Sequence, residues 1–133
     1  MYRFEATGHK NILANHKTTL EFIRGSALTR NGDCIIGVNA DFISEKLGHF
    51  KPGEGLLISL KVNNITEQIT ANYNPEFSST EEMVIRKGSF SSARTFAVNA
   101  SKAAVGISRK MAEALQNPDQ RIIVTICNLT STS

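Results

Sequence analysis

The chain has 133 residues, 41% of them hydrophobic and 20% charged, with a formal net charge of +3 at pH 7. That size and composition suit one ordinary globular domain over residues 1–133. No stretch nears the roughly 18 consecutive apolar residues of a membrane span, residues 1–5 lack the apolar core of a signal peptide, and no Lys/Arg tract marks a nucleic-acid tail, so a cytoplasmic protein without a membrane partner is expected.

In chain order, Tyr2, Phe4 and Ala6 alternate with Arg3, Glu5 and Thr7, the period-two pattern of a half-buried strand. Residues 18–23 predict a second strand, with Leu20 and Phe22 on one face. Asn31-Gly32 signals a tight turn before a third strand over residues 33–38. Its unbroken apolar character predicts burial on both faces. Asp41 is placed to cap a short helix through Phe42, Ile43, Leu47 and Phe50. Residues 55–62 and 65–73, joined at Asn63-Asn64, read as a hairpin. Two short strands follow, at 83–86 and 95–98. Ala104, Ile107, Met111 and Leu115 then recur at spacings of three and four, which predicts a long helix. Asn99 or Ser101 would cap it, and Asn117-Pro118 would stop it. Residues 121–129 form a last strand. The expected class is α+β: a mainly antiparallel sheet, able to curl into a barrel-like form, with one long and one short helix.

Chemistry concentrates in two places. The segment from Gly8 to Phe22 holds His9, Asn11, His16 and Thr18, and Asp33 and Cys34 follow soon after. Histidine is the side chain that exchanges protons near neutral pH, and a carboxylate can orient it. His9, His16 and Asp33 are therefore the catalytic candidates, with Asn11, Thr18 and Cys34 as ligand-binding partners. Two other readings of the same residues stand beside this one. In the first, His9, His16 and Cys34 or Asp33 hold zinc, although their spacing matches no metal signature; no cofactor is otherwise predicted. In the second, the rings and Asn11 and Asn15 merely hold turns. Cys34 and Cys127 sit in apolar runs, as reduced buried thiols do.

The second place is residues 86–95, where Ser91, Ser92 and Arg94 would form an anion-binding wall ahead of the predicted helix. If the two places share one cleft, a small anionic or phosphate-bearing ligand would bind there, with one histidine as general base. Whether the chain is an enzyme stays open. An RNA-binding module is the alternative, with Lys102, Arg109 and Lys110 joining Arg86, Lys87 and Arg94, and Phe90 stacking on a base. A structural subunit, including a homo-oligomer, is a third.

Three stretches also resemble a known family. They are Gly8-His9-x-Asn11-Ile12-x-Ala14-x-His16-x-Thr18-Thr19-Leu20-Glu21, then Leu28-Thr29-x-x-Gly32-Asp33-Cys34-Ile35-Ile36-Gly37-Val38, then Arg94-Thr95-Phe96-x-Val98-x-Ala100-x-Lys102-Ala103-Ala104. Together they are similar to a small archaeal family catalogued as domain-of-unknown-function family 371. The likeness runs over nearly the whole chain. It implies a stand-alone domain of archaeal, cytoplasmic origin, and it brings no activity and no catalytic residue.

Overall fold

The computed structural model of the protein describes residues 1–29 and 31–129. Among these residues the chain forms eight strands: β1 (Tyr2–Thr7), β2 (Thr19–Ile23), β3 (Ile35–Gly37), β4 (Gly55–Val62), β5 (Ile65–Tyr73), β6 (Glu82–Arg86), β7 (Thr95–Val98) and β8 (Arg121–Asn128). They pair into one sheet in the order β1-β8-β4-β5-β7-β6-β2-β3. Five neighbouring pairs are antiparallel; β2 with β3 and β6 with β7 are parallel, so the sheet is mixed. The β4–β5 hairpin turns at Asn63, whose φ of 53° lies in the left-handed region that asparagine tolerates.

The expected barrel is not formed. The strands at the two ends of the order, β1 and β3, meet only at the isolated bridge Thr7–Val38. There each N–H donates to the other carbonyl at 2.8 Å. One bridged pair is not a ladder, so the sheet curls until its ends touch without closing. Gly37 permits that approach, since a β-carbon there would lie 2.9 Å from the Ala6 Cβ and 3.0 Å from the Phe22 ring.

The α+β expectation also fails, because helix is nearly absent. The one α-helix among the described residues, α1, spans Arg109–Ala114, and the remaining helical turns are 3-10 segments at Ser44–Leu47 and Ala104–Gly106. The expected long helix is broken up by its own residues. Asn99 has φ of 55°, which no helix contains. Ser101 bonds to the sheet instead of capping, its Oγ accepting the Thr70 N–H at 3.0 Å. Gly106 disfavours a helix interior by about 1 kcal/mol relative to alanine. Ser108 starts the helix afresh, its Oγ accepting the Met111 N–H at 3.1 Å. Ala104, Ile107, Met111 and Leu115 are nevertheless all buried. Their spacing reports a covered face, not a continuous helix.

The short helix is likewise reduced to one 3-10 turn without a side-chain cap. Asp41 does not cap it, because its Oδ1 accepts the Glu5 N–H at 2.7 Å and ties the loop to β1. No helix among the described residues is long and apolar enough to cross a membrane.

One face of the sheet carries Phe4, Leu20, Phe22, Leu56, Ile58, Ile69, Met83, Ile85, Phe96, Val124 and Ile126, all buried. Phe4 meets Phe22 edge-on with ring centroids 5.2 Å apart, and Phe77 meets Phe96 at 5.4 Å. Such pairs add about 0.5–1.5 kcal/mol each beyond their area burial.

Candidate functional site: a cleft over the second and sixth strands

Because β2 lies between β6 and β3, neither of its edges is left bare. Leu20 and Phe22 enter the core. Thr19 and Glu21 point the other way, yet are only 7% and 6% exposed. The antiparallel register sets Arg86 opposite Thr19, Val84 opposite Glu21 and Glu82 opposite Ile23. Cross-strand partners share a face, so three charged side chains gather beside Thr19. Over this row opens a cleft of about 170 Å³, lined by His16, Thr19, Glu21, Cys34, Val84, Arg86 and Arg94.

Glu21 forms the floor. Its Oε2 accepts a hydrogen bond from the Cys34 thiol at 3.5 Å, and its Oε1 is buried without a partner among the described residues. Burial, and then the neighbouring Glu82 carboxylate, push the Glu21 acid up to about 7; the Cys34 and Arg94 contacts oppose that rise. The Cys34 thiol is pushed up to about 12, mainly by burial and then by Glu21. It is a thiol at neutral pH and not a nucleophile, because the thiolate is the reactive form.

The cations stand at the rim. Arg94 Nη1 donates to Glu82 Oε1 at 3.1 Å, while its side chain is 53% exposed. Arg86 donates through Nε to Thr95 Oγ1 at 3.1 Å, and its guanidinium lies 5.0 Å from the centre of the Phe90 ring. No carboxylate among the described residues is paired with Arg86. The site is thus positive at its mouth.

His16 is fixed by its own turn. Its Nδ1 accepts the N–H groups of Thr18 at 3.2 Å and Thr19 at 3.1 Å. Two donors aimed at Nδ1 assign the ring proton to Nε2. The ring on the cleft wall is therefore a hydrogen-bond donor through Nε2.

Of the residues singled out from sequence, His16, Cys34, Arg86 and Arg94 line this one cleft. The others lie elsewhere or act through backbone. His9 Nδ1 accepts the Asn11 N–H at 3.0 Å, and the Asn11 amide donates to Leu28 O at 2.8 Å, so both organise a loop apart from the cleft lining. Thr18 is exposed, and contributes its amide to His16. Asp33 receives the backbone N–H groups of Asn15 and His16 on its carbonyl, at 3.1 and 3.3 Å. Ser92 Oγ pairs with Thr95 Oγ1 at 3.3 Å and borders a neighbouring groove with Ser79, Ala93 and Arg94. Ser91 is half-buried beside it. Among the described residues no three His, Cys, Asp or Glu side chains are placed to hold a metal ion.

Glu21 and Thr19 were not among the sequence candidates for a binding site, and Arg86 stood there only in the basic segment 86–95 and the RNA-binding patch. An alternating strand such as residues 18–23 assigns Glu21 to a solvated face. Only the tertiary structure, which gathers Cys34, Val84 and Arg94 around it, reveals it as buried.

A larger groove of about 330 Å³, lined by Glu5, Ala6, Thr7, Asn39, Asp41 and Arg121, is less suited to a ligand. Its charges already meet one another, with Arg121 3.4 Å from Glu5 and Asp41 on the Glu5 amide.

Comparison with known proteins adds a family of unknown function. A family model described as "Domain of unknown function (DUF371)" matches residues 4–129. An uncharacterized protein of Methanocaldococcus jannaschii is 33% identical over 129 residues, covering 92% of this chain and 96% of that relative. With the match running from β1 through β8, the chain belongs to the family described as domain of unknown function DUF371.

Proposed function

We propose that the cleft over β2 and β6 binds a small molecule through an oxyanion group, a carboxylate or a phosphate. The observation that carries this reading is the convergence on one small cleft of two guanidinium groups, Arg86 and Arg94, with a histidine whose free ring nitrogen is a donor. Guanidinium groups present planar donor forks that match carboxylate and phosphate oxygens. Thr19 adds a hydroxyl on the same wall. The volume of about 170 Å³ is below the roughly 300–1,000 Å³ of pockets that engulf drug-sized ligands. It suits the anionic head of a small metabolite, with the remainder extending past the rim.

Titration of the protein with inorganic phosphate, followed by amide NMR at constant ionic strength, tests the reading. Saturable shifts are expected at Thr18, Thr19, Val84 and Thr95, and they should be lost in Arg86→Gln. Linear, unsaturable drift spread over the whole surface, equal in that variant, would overturn it.

A further inference from the structure

We infer that Glu21 belongs to the ligand's contact set as a proton donor, a neutral acid whose Oε1–H is given to the bound oxyanion, so that anion and proton are taken up together. The inference rests on the binding reading above and names the residue that makes the site selective.

The geometry comes first. Glu21 is 6% exposed and lines the cleft, and its Oε1 has no hydrogen-bond partner among the described residues. A buried carboxylate oxygen left without a donor is costly, at about 1–3 kcal/mol for even a neutral group and more for a charge. The donors nearby are committed elsewhere. The Cys34 thiol is on Oε2, and Arg94 is on Glu82. Had Glu21 been meant to stay ionised, a cation would be expected on Oε1.

The groups facing Glu21 act in both directions, and burial with Glu82 prevails over Cys34 and Arg94. On β6, the Glu82 carboxylate repels a second negative charge, while Val84 directly opposite offers only an apolar surface. Ahead of β3, Cys34 donates to Oε2 and opposes the rise, although the neutral acid still accepts that bond through its carbonyl oxygen. Arg94, preceding β7, also opposes it, but its guanidinium is shared with Glu82. Arg86 and His16 stand on the cleft wall as donors toward a guest. Burial and Glu82 together raise Glu21 to about 7, which places its proton within the neutral range.

With the anion absent, the protonated Oε1 has no hydrogen-bond partner among the described residues. With the anion bound, its proton is donated to a ligand oxygen that Arg86 and the His16 Nε2–H also hold. No bond to carbon or phosphorus changes; only the hydrogen bond is exchanged. Above pH 7 the ionised Glu21 faces the anion as a like charge, and binding weakens.

Sulfate, which does not titrate near neutrality, is the probe. Its affinity for the wild-type chain, measured by amide NMR at pH 6 and pH 8 and constant ionic strength, should fall about tenfold. Glu21→Gln, whose amide is a donor at every pH, should give a flat profile. Glu82→Gln should move the loss of binding to lower pH. In parallel, carboxyl ¹³C NMR of glutamate-labelled wild-type protein should show one carboxyl titrating near 7. Saturable sulfate binding of equal strength at both pH values would overturn the inference and leave the binding reading standing. A pH-dependent loss persisting unchanged in Glu21→Gln would also overturn it. Absence of saturable binding at both pH values would overturn the two together.

Discussion

At the scale of single residues, histidine here does the work usually given to asparagine or aspartate. In His9 and His16 alike, Nδ1 accepts the amide two residues on, at 3.0 and 3.2 Å. That is the geometry of an Asx turn, with the ring nitrogen standing where a side-chain oxygen would be. His16 differs from His9 in taking a second amide, Thr19, at 3.1 Å and in presenting its far nitrogen to the cleft. The two tasks of His16 can be separated. His16→Ala leaves the Thr18 and Thr19 amides without their acceptor and should destabilise the protein by about 1–2 kcal/mol. His16→Asn supplies an oxygen at the same place and should recover most of that loss in urea unfolding. It has no donor reaching the cleft, so phosphate affinity should stay reduced several-fold in both variants. Recovery of phosphate binding along with stability in His16→Asn would mean that Nε2 takes no part. The pairing of two histidines in one segment was visible in the sequence, but their division of labour was not. Residue spacing cannot show which ring nitrogen meets a backbone amide.

At the scale of elements, the polar stretch between β1 and β2 is a loop fastened to α1. Arg109 Nη2 donates to the carbonyls of Ala14 at 2.8 Å, Ile107 at 3.2 Å and Ala104 at 3.3 Å, and Nη1 donates to Leu13 O at 3.4 Å. Gln116 Nε2 reaches Ile12 O at 3.1 Å, and the His9 N–H reaches Leu115 O at 2.8 Å. This clasp holds Ala14 at φ of 51°, a left-handed conformation that costs a non-glycine residue about 1–2 kcal/mol. Arg109→Lys offers a single ammonium instead of a planar fork. It should lose about 1 kcal/mol and speed amide exchange over residues 9–16, which hydrogen-exchange mass spectrometry would register. Gly8 sits at the start of the clasp. A β-carbon there would lie 2.3 Å from both Leu115 O and Asn117 O. Gly8→Ala should therefore cost about 3 kcal/mol through displaced backbone, measured by chemical unfolding. The strands were readable from alternation because that pattern is local: β4, β5 and β7 begin and end where the sequence places them. The helices were not. Ala104, Ile107, Met111 and Leu115 have helical spacing, but Gly106 and Ser108 interrupt the run, and tertiary burial accounts for the spacing without continuous helix. Pairing order was equally hidden. Nothing in residues 18–23 says that β3 and β6 will flank them and bring Cys34, Val84 and Arg94 around Glu21, a buried residue.

At the scale of the whole molecule, the buried acid links the stability of the sheet to pH. Glu21 has an ordinary value of 4.5 and is raised to about 7 in the folded protein. Between those limits the folded state binds a proton that the unfolded state has released. Stability must then fall as pH rises, since its slope with pH follows the protons bound unfolded minus those bound folded. The contribution is fully present below pH 4.5, declines through the interval and is gone above 7. For a group this buried the change is on the order of 3 kcal/mol. Its direction is opposite to that of an ion-paired surface carboxylate, which supports the fold at neutral pH and loses that support in acid. Glu5, shared by Arg3 and Arg121 at 3.4 Å each, belongs to that second kind, but at the surface such pairs contribute little. The Glu21 effect should therefore dominate between pH 5 and 7. Urea midpoints measured across this range at fixed salt should decline in the wild type. In Glu21→Gln, whose amide does not titrate, the decline should vanish. A parallel decline in that variant would assign the effect to other groups and would mean that Glu21 stays ionised on its strand. A bound oxyanion that takes the Glu21 proton donor should extend the stable range upward in pH, because it binds best to the protonated fold. Ligand and proton then act on the same side of one equilibrium. The strain of burying an acid between two strands and the selectivity of the cleft above it have a single physical origin.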